Sequence, residues 1–142
     1  MSKILQFVKS AKEDPDNISN EINFGSINNY QAQTIAASTG VVVRTGIKIL
    51  SNYAVNHTFK RHSVETEQRE GRGQVGILDS DFELLPDILN NPDQIVRGTD
   101  GSRGKKALKF IKKYPRGIYT AVITIVPSKK GIRLEFNTMY IK

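Results

Sequence analysis

The chain contains no cysteine among its 142 residues, which excludes disulfide bonds and thiolate metal sites and is compatible with a reducing site of action. It has no apolar run long enough to span a bilayer, and its first residues lack the apolar core of a signal peptide. Acidic residues are almost missing from the last third of the chain, where Glu135 is the only one after Arg103. We therefore expect a soluble chain with a strongly basic C-terminal part.

The positive charge of the chain is concentrated in that part. Eleven lysine and arginine residues lie between Arg103 and Lys142, and the whole chain has a formal net charge of +7. Such an excess favours an anionic partner, which could be nucleic acid, an acidic protein or an anionic membrane surface. The length and a hydrophobic content of 38% fit one packed domain, residues 1–142.

The hydrophobic pattern predicts helices in the N-terminal half. Apolar residues recur at helical spacing from Ser2 to Lys12, and Gly40 marks the end of a second helix. A third helix, capped by Ser51 or Asn52, carries both histidines of the chain. Residues 63–76 are polar and contain three glycines, so we expect a mobile loop there.

Strands dominate the C-terminal part. Alternation predicts strands at 106–114, 117–126 and 132–141, of which the last two form a hairpin. The predicted fold class is α+β: residues 1–62 are mainly helical and pack on a twisted antiparallel sheet built mainly from residues 94–141.

Alternation also predicts which face of the final hairpin is buried. It places Ile118, Val122 and Val126 on the core face, opposite three apolar residues of the last strand, Ile132, Leu134 and Phe136. Simple alternation then puts Thr138 and Tyr140 on the core face as well, with Asn137 on the open side. A bulge near Asn137 would instead turn Thr138 and Tyr140 to the open side. Both alternatives stay open.

The two histidines, His57 and His62, flank the cations Lys60 and Arg61. Five residues apart on a helix, the imidazoles diverge by roughly 140°, which disfavours a shared metal ion. His62 shares a helical face with Val55 and Phe59, so we expect it to point toward the core. Imidazole accepts and donates protons near neutral pH, and adjacent cations hold phosphate. The pattern favours metal-independent RNA cleavage, whereas the structural alternative is a solvated His57 and a core His62.

Five segments taken in order are typical of a known nuclease family. They are Lys60 to His62, Gly73-Gln74, Asp79 to Asp93, Lys109 to Lys113, and Asn137 to Tyr140. This order resembles the phage-associated nucleases of the barnase, EndoU, colicin and RelE-like (BECR) superfamily over nearly the whole chain. The resemblance implies a compact α+β ribonuclease toxin domain that cuts RNA, often tRNA, without a metal or cofactor. The product of such cleavage is a 2′,3′-cyclic phosphate.

The resemblance also implies partners and site residues. Relatives act in phage and interbacterial competition, so the resemblance implies a cognate immunity protein or antitoxin and no membrane partner. It also implies a cytoplasmic site of action. Delivery inside a larger secreted or phage protein is compatible with the resemblance. EndoU-like relatives use two histidines and a lysine. The implied catalytic residues are His57, His62, Lys112, Thr138 and Tyr140, and the expected RNA contacts are Lys60, Arg61, Arg103, Lys109, Lys113 and Tyr119, the last either stacking a base or packing across the sheet.

A non-catalytic, basic nucleic-acid-binding module is the alternative from another class, because it needs the same positive charge and no poised histidine. Incubation with total tRNA separates the two, since only a nuclease produces discrete fragments.

RNA binding should weaken steeply as salt is added, because each neutralised phosphate releases condensed counterions. Fluorescence anisotropy between about 50 and 200 mM salt measures this dependence. An affinity that stays flat over this range would show that the basic C-terminal part is not the docking surface.

Overall fold

A computed structural model describes residues 2–101 and 104–142. Its helices are α1 (Lys3–Glu13), α2 (Asn29–Thr39), α3 (Asn52–His62), α4 (Val64–Glu70) and α5 (Leu85–Asn90), and a 3₁₀ helix, Asp79–Leu84, precedes α5. Its strands are β1 (Glu21–Ser26), β2 (Gly46–Ser51), β3 (Gln94–Arg97), β4 (Ala107–Tyr114), β5 (Gly117–Ser128) and β6 (Gly131–Ile141). Within the described ranges, no helix is long and apolar enough to cross a membrane.

The strands form one six-stranded sheet in the order β1-β2-β6-β5-β4-β3. All neighbours are antiparallel except β2 and β6, which run parallel. The α+β prediction is confirmed, with one domain and one parallel pair in a sheet expected to be antiparallel throughout. Alternation reveals a strand but not its partner, and β2 and β6 are far apart in the chain.

Helix α1 forms where the sequence predicts it. The Ser2 hydroxyl accepts a hydrogen bond from the Leu5 amide at 3.1 Å, and Ile4, Phe7, Val8 and Ala11 are buried on one stripe. This stripe belongs to a core that also contains residues of the other helices and one side of the sheet. We call that side the core face and the opposite side the open face.

The predicted core face of β5 is wrong by one residue. Tyr119, Ala121, Ile123 and Ile125 are the buried residues, whereas Ile118 is 45% exposed. Both sides of β5 are apolar, so alternation cannot tell which side faces the core. The helices that pack on the sheet decide which side is covered. Tyr119 is therefore fully buried, and its expected role as a base-stacking residue is corrected to core packing.

A β-bulge in β6 resolves the conflict over the closing strand. Val122 pairs with Thr138 and Ile123 with Phe136, which leaves Asn137 as the extra residue. Beyond the bulge the faces exchange: Met139 and Ile141 are buried, and the pairing register puts Thr138 and Tyr140 on the open face. The bulge alternative is confirmed.

Residues 63–76, expected to form a mobile loop, contain helix α4. The Ser63 hydroxyl accepts a hydrogen bond from the Thr66 amide at 3.2 Å, and Gly71 ends the helix with φ 64°. The chain after α4 is also tied down, because the Val75 amide donates to the Ile141 carbonyl at 2.8 Å. The glycines belong to a helix end and to a short segment against β6.

Asp81 lies under the sheet and holds several groups at once. Its carboxylate, 2% exposed, accepts hydrogen bonds from the Tyr119 hydroxyl and from the Leu78 amide at 2.8 Å, and it pairs with Arg116 at 3.2 Å. Burial and this carboxylate raise the pKa of Tyr119 to about 12. The phenol therefore stays a hydrogen-bond donor at neutral pH.

Asp81→Ala should lower the free energy of unfolding by about 2–4 kcal/mol, because the substitution leaves a buried hydroxyl and a backbone amide without an acceptor. Urea denaturation measures the change. The matched control is Asp79→Ala, which removes a partly exposed ion pair with Lys12 and should cost about 0–1 kcal/mol. Equal losses in the two variants would contradict the anchoring role of Asp81.

Candidate active site

Helix α3 lies beside the second half of β6 because β2 pairs only with the first half. The last β2–β6 pair is Ile49 with Glu135, and the chain then turns into α3 at Ser51, whose hydroxyl accepts from the Ala54 amide at 3.1 Å. Contacts with β6 continue along the helix. The Thr58 and Thr138 hydroxyls are 3.5 Å apart, and the His62 and Tyr140 rings are 5.7 Å apart.

A cavity of about 390 Å³ opens between the start of α3 and the open face of the sheet. We call it the central cavity; its lining includes Glu21, Tyr53, His57, Arg133, Glu135 and Asn137. His57 stacks on Tyr53, with ring centroids 5.7 Å apart and planes inclined by 15°. Because Tyr53 is 58% exposed, the pair offers an aromatic surface at the mouth of the cavity.

The central cavity is acidic in an otherwise basic protein. Arg133 Nε donates to Glu135 at 2.8 Å, and Arg133 Nη2 donates to both carboxylate oxygens of Glu21 at 2.9 and 3.0 Å. Two carboxylates therefore bracket one guanidinium. A phosphate gains little from a cation that is already paired twice, so this cavity suits the hydrogen-bonding groups of a base or ribose better than an anion.

A second depression, of about 450 Å³, lies on the other side of His57 between α3 and α4. We call it the basic depression; beside His57, its lining contains the charged residues Lys60, Arg61, Arg69, Glu70 and Arg72. Among the described residues, Lys60, Arg61 and Arg69 form no ion pair, so they are free to meet an anion. His57 is the residue that the two cavities share.

Burial lowers the pKa of His57 below its ordinary value, and the nearby cations Arg61 and Lys60 lower it further. The imidazole is therefore neutral at pH 7, the state in which it accepts a proton. His57 thus combines access to both cavities with the protonation state of a general base.

His62 is buried and belongs to a chain of three charged or titratable groups. Its Nδ1 lies 3.2 Å from a carboxylate oxygen of Glu67, and the same oxygen pairs with Arg72. Arg72 also donates to the Arg61 carbonyl at 2.8 Å. The chain links the core histidine to the rim of the basic depression, because Arg72 lines that depression.

Burial lowers the pKa of His62, and the hydrogen bond to Glu67 partly offsets this effect by raising it. Arg72 and Arg61 act in the same direction as burial. The other oxygen of Glu67 is buried and has no hydrogen-bond partner among the described residues. His62 is therefore held in place by Glu67 and stays largely neutral near pH 7.

The structure brings some of the predicted site residues together and separates others. Lys60 and Arg61 join His57 at the basic depression, and Thr138 and Tyr140 contact α3 from β6. His62 lies behind this surface, only 7% exposed.

The prediction that Lys112 is a catalytic residue is corrected. Its ammonium group is on the core face of β4, where it donates to the Asn91 carbonyl at 2.6 Å and pairs with Asp87 at 3.6 Å. The strand carries it away from His57, since it points to the same side as Phe110. Lys109 and Lys113 lie on the open face of β4, and Arg103 is outside the described residues.

Sequence reasoning missed the contribution of α4 and of the first half of β6. The sequence predicts Glu67 and Arg69 in a loop, although Ser63 and Gly71 are residues typical of a helix start and end; Arg72, just after the helix, does lie outside it. Glu21 and Arg133 could not be linked from the sequence, because they meet only through the β1-β2-β6 order of the sheet.

The fold is an α+β arrangement of helices on a mostly antiparallel sheet, with a histidine and unpaired cations beside its open face; these features are consistent with the BECR-like nuclease class. Residues 25–142 match the family model described as phage-Barnase-EndoU-ColicinE5/D-RelE like nuclease3, and the chain belongs to this family. No curated protein and no solved structure gives a significant match. Across the described residues, no group of three or more His, Asp or Glu side chains is arranged to hold a metal ion.

The free energy of unfolding should fall as the pH drops below the ordinary His pKa of 6.5. His62 has a lower pKa in the folded chain than in the unfolded one, so the unfolded state binds the proton first and gains stability from it. The loss ends once the pH passes below the folded-state pKa. Urea denaturation from pH 7.5 to 5 measures the slope.

His62→Gln should flatten this slope more than Lys9→Ala, which changes an exposed residue of α1. An unchanged slope in His62→Gln would mean that the buried imidazole does not carry the pH dependence.

Proposed function

We propose that this nuclease is a metal-independent endoribonuclease that cleaves RNA by attack of a 2′-hydroxyl on the adjacent phosphorus. The observation that carries the proposal is the position of His57, between a depression lined by unpaired cations and a cavity lined by hydrogen-bonding groups. A phosphate in the first and a nucleoside in the second put a ribose beside the imidazole. DNA lacks the 2′-hydroxyl that this chemistry requires.

The basic depression holds the reacting phosphate. Lys60, Arg61 and Arg69 are free of ion pairs among the described residues, and Arg72 is oriented by Glu67 and by the Arg61 carbonyl. Arg72, held by these two contacts before the reaction, can stabilise charge that develops on the phosphate oxygens with little reorganisation, and the three unpaired cations add positive charge around the phosphate.

His57 removes the proton from the 2′-hydroxyl, since its lowered pKa leaves it neutral at pH 7. The 2′-oxygen then bonds to phosphorus, and the bond to the 5′-oxygen breaks. Lys60, one helical turn after His57, donates a proton to the leaving 5′-oxygen from its ammonium group. The products are a 2′,3′-cyclic phosphate and a free 5′-hydroxyl.

His62 takes a different part from His57 in this proposal. It is a positioning residue, because it is buried and reaches the basic depression only through Glu67 and Arg72. Thr138 and Tyr140 support α3 through Thr58 and His62. Lys109 and Lys113 extend the positive charge across the open face and contribute to RNA binding.

The finer assignments belong to the same proposal. The substrate is tRNA, the chain acts in the cytoplasm as a toxin of the phage or interbacterial type, and an immunity protein or antitoxin neutralises it. Family membership and the net charge of +7 support an RNA substrate. The alternative, a non-catalytic RNA-binding module, rests on the same cations and needs no neutral histidine.

His57→Ala should reduce cleavage of total tRNA by at least about 100-fold in kcat, because general acid–base catalysis contributes about 10²–10⁴. His62→Ala should mainly raise KM, since it releases Glu67 and Arg72. Gel analysis of fragments and identification of the cyclic phosphate are the measurements, made with and without EDTA and with Lys9→Ala as the control.

Each outcome separates the alternatives. Wild-type cleavage that disappears in EDTA would contradict the metal-independent mechanism. RNA binding without fragments would favour the binding module. A kcat loss in His62→Ala equal to that in His57→Ala, with loss of one limb of the pH profile, would make His62 a second proton-transfer residue.

A further inference from the structure

A third depression, of about 550 Å³, lies at the turn between β5 and β6. We call it the hairpin depression, and its charged lining is Arg44, Lys129 and Lys130, with no acidic residue among the lining side chains. All three cations are exposed. Among the described residues, none of them forms an ion pair, whereas Arg97, Lys112, Arg116 and Arg133 are each paired with a carboxylate.

The backbone that carries these cations is held in a fixed shape. The Ile132 amide donates to the Thr45 carbonyl at 2.9 Å, and the Thr45 hydroxyl donates to the Lys130 carbonyl at 3.3 Å. Gly131 has φ 125°, and a Cβ there would lie 2.6 Å from the Thr45 carbonyl oxygen. The close approach joins the hairpin to the segment before β2, so Arg44 and the two lysines face one depression together.

Strand β6 connects the hairpin depression to the central cavity, which is one of the two cavities that share His57. Gly131 lines it, Arg133 and Asn137 line the central cavity, and both sets are on β6. Six residues of strand, from Gly131 to Asn137, span about 20 Å. Along β6 the surface therefore runs from the unpaired cations of the hairpin depression to the acidic central cavity with its exposed Tyr53, and His57 connects that cavity to the unpaired cations of the basic depression. We call this surface the track.

This order of charges matches an extended single strand of RNA. The ends of the track offer cations to backbone phosphates, and the middle offers carboxylates and an aromatic ring to bases, which stack on aromatic side chains and donate hydrogen bonds from their edges. An RNA that occupies the hairpin depression and also the far side of the central cavity spans the roughly 20 Å of β6 from Gly131 to Asn137, so it needs several nucleotides and a dinucleotide is too short.

We propose that the hairpin depression is a second phosphate-binding site, which holds the backbone of substrate RNA several nucleotides away from the bond next to His57. The proposal rests on the proposed function for the identity of the substrate. It assigns Arg44, Lys129 and Lys130 to RNA binding and makes an RNA with a single-stranded segment of several nucleotides the preferred substrate.

The test uses binding and not cleavage, so it stays informative if the chain does not cut RNA. Fluorescence anisotropy measures the affinity of 2′-O-methyl RNAs, which lack the attacking hydroxyl, at lengths of two and about ten nucleotides. The variants Arg44→Ala/Lys129→Ala/Lys130→Ala and Lys129→Ala/Lys130→Ala are compared with Lys3→Ala/Lys9→Ala, which removes two exposed lysines of α1 that form no ion pair among the described residues.

The hairpin variants should bind the longer RNA at least about tenfold more weakly, with a salt slope lower by two to three, while binding the dinucleotide like the wild type. The α1 variant should change neither. Unchanged affinity for the longer RNA, or an equal loss with both lengths or in the hairpin and α1 variants, would overturn the hairpin site. Loss of cleavage in His57→Ala tests the proposed function separately.

Discussion

The arrangement of the molecule depends on the incomplete pairing of β2 with β6. Four residues of β2 pair with β6, and then Ser51 ends the strand by capping α3. The second half of β6 would otherwise expose its edge. Helix α3 and the segment around Val75 cover that edge instead, so a helix end, with its concentrated cations, is brought against a strand. Because α3 takes the place of β2 beside the second half of β6, His57 lies beside the open face of the sheet.

The distribution of paired and unpaired cations gives the surface its direction. Arg116 and Lys112, which border the core face, are neutralised by Asp81 and Asp87, so charge there serves to anchor the sheet to the helices. The cations around the basic depression are mostly unpaired. A net charge of +7 alone does not reveal this difference, because it counts an arginine held between two carboxylates and a free lysine equally.

Local signals in the sequence predict much of the fold. The cap at Ser2, the glycine at position 40 and the hairpin at Ser128 to Gly131 depend on neighbouring residues only, and each appears as expected. The prediction of which face of β5 is buried was wrong, because both of its faces are apolar and only contacts with distant helices decide which one is covered. The same limit applies to the site. His57 and Lys60 are neighbours on one helix, whereas Glu21 and Arg133 meet through the order of three strands.

The bulge at Asn137 has a consequence for the whole end of the chain. Side chains of a strand alternate between two faces, so one extra residue changes which positions face the core. Before the bulge the even-numbered residues of β6 face the core, and after it the odd-numbered residues do. If Asn137 were instead paired in register, Tyr140 would be carried under the helices and Met139 and Ile141 would come out into water. Two residues thus stand between the buried Phe136 and Met139, where regular alternation would place one, and the bulge is what allows both apolar side chains to reach the core.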